Sequence, residues 1–104
     1  MLITTTENIN GKEYEILGMV QGNTIQTVNA VRDIGAGLKN LLGGELKKYN
    51  EMMAKARELA TQRMVSEAEA LGADAIVSMR YSSASVMQSA AEVMAYGTAV
   101  RFTT

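Results

Sequence analysis

The chain has no cysteine and no histidine. Without cysteine there is no disulfide framework, thiolate metal site, iron–sulfur cluster or thiol nucleophile, and without histidine the commonest metal ligand and general base are gone. Most standard enzyme sites are excluded with them. An excess of either charge is missing too, since ten basic residues stand against eleven acidic ones for a formal net charge of -1. No bulk field draws in a phosphate backbone or an anionic bilayer, so neither nucleic acid nor membrane is expected as a partner. No stretch approaches the roughly 18 uninterrupted apolar residues of a transmembrane helix. Residues 1–7 lack the basic start and apolar core of a signal peptide, which predicts a cytoplasmic protein.

What is present suits one globular domain over residues 1–104, with 47% hydrophobic and 20% charged residues. Residues 2–5 and 14–21 read as strands around the turn signal Asn8-Ile9-Asn10-Gly11, which predicts an opening hairpin. On period two, Ile16, Gly18 and Val20 share one face and Leu17, Met19 and Gln21 the other, so both faces are apolar or small. From Ala30 to Leu42 apolar residues recur at helical spacing, but Gly35 and Gly37 shorten or break that helix. A stronger stripe follows in Leu46, Tyr49, Met53, Ala56, Ala60, Met64, Ala68 and Leu71, predicting a long helix from about Gly44 to Leu71. Gly72 is placed to end it in the left-handed conformation.

Residues 73–81 then read as a strand, with Ala75, Val77, Met79 and Tyr81 on one face, followed by the polar loop signal Ser82-Ser83-Ala84-Ser85. A last strand over residues 92–102 alternates Met94, Tyr96, Thr98, Val100 and Phe102 with Val93, Ala95, Gly97, Ala99 and Arg101. The order predicts an α+β fold, a largely antiparallel sheet packed on one long helix. A helix of that length is about 40 Å long, more than a compact subunit of this size spans, and the strands are apolar on two faces. Both observations predict homo-oligomerisation.

Candidate chemistry is sparse. Eight methionines offer soft thioethers for copper(I), but Met19, Met53, Met64, Met79 and Met94 fall where core filler belongs. Asp74 reads as a turn or strand-entry residue, and Glu67 and Glu69, two apart on a helix, do not share a face. Gly35-Ala36-Gly37 and Gly43-Gly44 match neither a P-loop nor a dinucleotide fingerprint. Ser82, Ser83, Ser85 and Ser89 lack a visible base, so no catalytic residue is identified. Arg32 and Asp33 beside glycine-rich backbone are the candidate anion or ligand contacts.

The run Val31-Arg32-Asp33-Ile34, then Lys39-Asn40, Gly43-Gly44 and Tyr49, together with residues 71–77 and 95–100, closely resembles the YbjQ-like family of small bacterial proteins. The resemblance spans nearly the whole chain and implies an α+β subunit in a ring-like homopentamer. Members carry the label "putative heavy-metal-binding", but no ligand set transfers to these residues. A soft metal ion, the candidate partner under that label, would need methionines converging from several copies around a ring axis. Lys39 stands where relatives often carry arginine, which weakens an anion clamp there. The expected function is a non-enzymatic, ring-forming homo-oligomer in a binding or scaffold role, with no cofactor identified. The alternative is a small-molecule or anion binder, or an enzyme, with its site at a subunit interface.

Overall fold

A computed structural model describes residues 1–27, 43–87 and 90–104, the side chains of residues 43–46, 86 and 87 excepted. Strands β1 (Leu2–Ile3), β2 (Tyr14–Thr27), β3 (Ala75–Met87) and β4 (Ala90–Phe102) and helix α1 (Gly43–Ala70) make an α+β fold. The sheet order is β1-β3-β4-β2. The two β4 pairings are antiparallel, but β1 lies parallel to β3, so the sheet is mixed. The opening hairpin is therefore not formed: Leu2 and Ile3 pair with Ala75 and Ile76, at the far edge from β2. Beyond β1 the chain stays on β3, where the Ser78 and Met79 N–H groups donate to the carbonyls of Thr6 and Thr4.

One side of the sheet is covered by α1. Its buried stripe is Met52, Ala56, Ala60, Met64 and Ala68, a strict i, i+4 row, whereas Leu71 is exposed and Met53 only partly buried. The row meets Val20, Ile76, Met79, Val93, Ala95 and Ala99 from the sheet. Three alanines in the row let the backbones approach closely. Closest is Gly22 of β2, where an added Cβ would lie 2.3 Å from both the Ala60 carbonyl oxygen and the Met64 nitrogen. Only glycine fits that crossing. At the helix end Gly72 has φ 78°, and the Gly72 and Ala73 N–H groups donate to the carbonyls of Glu69 and Ala68, the pairing of a Schellman motif.

Two bulges change the faces that simple alternation assigns. In β2 the register shifts between Ile16 and Gly18, where Gly18 has φ 145°. Ile16 consequently pairs with Val100 on the side away from α1, while Gly18 and Val20 face the helix. In β3 the shift falls between Val77 and Arg80, with Ser78 at φ 54°. It leaves Ala75 and Val77 in a second small core with Val100, Ile9, Tyr14 and Phe102, and turns Met79 toward the helix. A bulge adds one residue and so reverses the alternation beyond it.

The strands run farther than composition suggests. β2 continues through Gln21 to Thr27, and β3 absorbs Ser82 to Ser85, the stretch expected to be a loop. At about 3.3 Å per residue these strands match the helix in length, so α1 has a platform along most of its course. The subunit is correspondingly elongated, with a Cα radius of gyration of 17.0 Å against about 13 Å for a compact chain of this length.

Candidate functional site

The helix flanks treat the two sheet edges differently. Toward β2, the outer strand, the Gln21 N–H donates to Glu67 Oε1 at 3.2 Å and Arg63 Nη1 donates to the Asn23 carbonyl at 2.7 Å. Gln21 and Asn23 have the same strand parity, so these are outward-pointing groups that β4 does not satisfy. Two side chains one helical turn apart thus occupy the edge.

On the opposite flank, Met53, Arg57 and Thr61 follow one another at i, i+4 beside β3. Met53, Arg57, Tyr81, Ser82, Ser83 and Val93 line an open recess of about 90 Å³. The Thr61 hydroxyl donates to the Arg57 carbonyl and lies 2.7 Å from the Tyr81 hydroxyl. Threonine has a single hydroxyl proton, so both bonds form together only when the Tyr81 phenol donates to Thr61. Ser83 pairs with Val93 and therefore shares its helix-facing side. Arg57, by contrast, makes no side-chain hydrogen bond or ion pair with any described residue.

Among the described residues, the sheet face away from α1 is covered only at one end, where Ile9, Tyr14 and Phe102 pack on Ala75, Val77 and Val100. Farther along, Ile16, Met19 and Ile25 are 69%, 71% and 58% exposed. Register places Met94, Tyr96 and Thr98 on that face beside Asn23, Gln21 and Met19. The result is a mixed strip, in which Ile16, Met19, Ile25, Met94 and Tyr96 alternate with Gln21, Asn23, Glu92 and Thr98, with no covering layer among the described residues.

Of the residues singled out in the sequence, Arg32 and Asp33 lie outside the described residues, as do Gly35, Gly37, Lys39 and Ser89. Asp74 has a structural role: its Oδ2 accepts the Phe102 N–H at 2.9 Å while its own N–H donates to the Val100 carbonyl. Helical periodicity alone does not set Arg57 apart from the other charged residues of α1. A signal was nevertheless available, because Lys47, Lys48, Lys55 and Arg63 each have a glutamate three or four residues away, whereas Arg57 has Met53, Ala54, Ala60 and Thr61 there.

Among the described residues the donor set does not fit a heavy metal. Cysteine and histidine are absent from the sequence, and no group of three Asp or Glu is assembled among the described residues. Met52, Met64 and Met79 are buried in the core. On the open face Met19 stands opposite Thr98 and Met94 opposite Asn23, four positions apart and so about 13 Å, far beyond shared ligation. Among the described residues, no helix is long and apolar enough to cross a membrane.

Comparison with known proteins gives a consistent set of matches. The model of the YbjQ family, described as "putative heavy-metal-binding", matches residues 1–103. A UPF0145 protein of Clostridium novyi is 54% identical over 101 residues, 97% of this chain and 98% of its own length. Another, from Thermosipho africanus, is 58% identical over 102 residues, covering 97% of this chain and 94% of that protein. The crystal structure of a protein of unknown function from Pediococcus pentosaceus superposes with a TM-score of 0.67 at 22% identity, covering 98% of this chain and 97% of the other. That likeness shows a shared fold.

Proposed function

This chain belongs to the YbjQ family, and from that premise we propose that it is a non-enzymatic, self-assembling protein, a ring-like homopentamer with a binding or scaffold role in the cytoplasm. The observation that carries the reading is the open sheet face, where Ile16, Met19 and Ile25 are exposed on one strand. Large apolar side chains exposed at three positions of one strand favour burial, at about 25 cal/mol per Å² removed from water. The elongated subunit supports a second copy as the cover, since long strands offer a continuous surface for side-by-side packing. A near-neutral net charge sets no long-range repulsion between copies. Metal capture is not part of the proposed role, because the donor set among the described residues does not fit it.

Native mass spectrometry of untagged protein purified without chelator tests this reading. The expected species is five times the 11.2 kDa chain. Met19→Lys, which places a charge on the open face, is expected to shift the population toward the single chain while leaving the far-ultraviolet circular dichroism unchanged. A parent protein that is monomeric at micromolar concentration would overturn the proposal.

A further inference from the structure

We infer that the recess between α1 and β3 is a binding site for a short-chain monocarboxylic acid, with Arg57 as its carboxylate clamp. Three observations combine. The Arg57 guanidinium is without a partner among the described residues, and no glutamate lies one helical turn away to compensate it. Beside it Met53, Val93 and the Tyr81 ring form an apolar wall, Ser82 and Ser83 complete the lining, and Ser83 adds one hydroxyl on the helix-facing side of the sheet. The Tyr81 proton is committed to Thr61, so the phenol does not donate into the recess.

These features select the ligand class. A guanidinium presents two parallel N–H groups matched to the two oxygens of a carboxylate. One cation balances one negative charge, whereas a phosphate dianion would remain half-compensated and would set its oxygens against Met53 and Val93. A space of about 90 Å³ holds a carboxylate with a short aliphatic tail lying on those two side chains. The inference is independent of the proposed ring, because every lining residue comes from one copy of the chain.

Met53 supplies its own reporter, the methyl group of a side chain that lines the recess. Protein labelled with ¹³C-methyl methionine is titrated with sodium butyrate, with 1-butanol as the uncharged control, and the Met53 resonance is identified by its loss in Met53→Leu. The expected result is a saturable shift of Met53 with butyrate at a millimolar Kd, no saturable shift with butanol, and binding about ten-fold weaker in Arg57→Gln. Equal responses to acid and alcohol would overturn the inference, as would an indifferent Met53 or an Arg57→Gln variant that titrates like the parent. Should Met53 ignore butyrate while Arg57→Gln dissociates the assembly, the carboxylate would belong to a neighbouring copy, and the free-acid site would likewise be overturned.

Discussion

Along β2 the helix lies close and its side chains occupy the strand's outward backbone groups, whereas along β3 it stands off and leaves a recess whose Arg57 has no partner among the described residues. The difference originates in what faces α1 from each strand. β2 presents Gly18, Val20, Gly22 and Thr24, small enough for the Ala60 to Met64 turn to settle onto the backbone, and that proximity brings Arg63 and Glu67 within reach of Asn23 and Gln21. β3 presents Tyr81 and Ser83 on its helix-facing side, and the Tyr81 hydroxyl meets Thr61 at its rim. A large residue at the edge holds the helix flank away from the sheet. The comparison teaches that one helix can protect one edge of a sheet and frame a cavity at the other, with residue volume on the strands deciding which.

If close approach at Gly22 creates the protected side, enlarging that residue has the largest effect. Gly22→Val is expected to lower stability by about 3 kcal/mol, because the added atoms meet helix backbone that cannot yield locally. Urea denaturation followed by circular dichroism measures the loss. Gly97→Ala is a milder contrast, since its Cβ would lie 2.7 Å from Cγ2 of the buried Ile76 and 3.1 Å from the Val77 carbonyl oxygen, against 2.3 Å from helix backbone at Gly22. Equal tolerance of Gly22→Val and Gly97→Ala would remove the basis for the difference between the edges.

A smaller effect on stability, with a sharper one on association, is expected when the protecting side chains are removed. Arg63→Ala combined with Glu67→Ala frees the Asn23 carbonyl and the Gln21 N–H at an outer strand, at a cost of about 1 kcal/mol because both groups can turn to water. An uncovered strand edge is a template for pairing with another chain. Sedimentation velocity is therefore expected to show larger, heterogeneous species in the double variant. Unchanged sedimentation would mean that the two hydrogen bonds contribute only locally.

Much of this arrangement was legible in the residues. The i, i+4 spacing of Ala56, Ala60, Met64 and Ala68 located the helix, Gly72 its end, and the unbroken alternation of residues 93–100 the inner and outer faces of β4. What resisted reading has physical causes. Period two assumes a regular ladder, and the bulges at Gly18 and Ser78 reverse it, so Ile16 and Met79 change sides. Ser82 to Ser85 resembles a loop because those residues bury little, yet β4 supplies a continuous hydrogen-bonding partner that propensity does not see. The pairing of Leu2 and Ile3 with β3 is a contact across more than seventy residues, which local turn chemistry cannot report. Arg57 was visible only through the charges missing around it.

The least costly change is also the most informative about the recess. Tyr81→Phe keeps the ring that forms one wall and removes the phenol that donates to Thr61. At 48% exposure for Tyr81, losing one hydroxyl–hydroxyl bond is expected to cost no more than about 0.5–1 kcal/mol, measured by thermal unfolding. Thr61 retains its bond to the Arg57 carbonyl, so the helix itself is undisturbed. If the phenol acts only as a strut between α1 and β3, the Met53 methyl resonance broadens or shifts in the unliganded variant because the rim is no longer fixed. A Met53 resonance identical to that of the parent would mean that ring volume alone holds the helix off β3, which returns the contrast between the two edges to side-chain size.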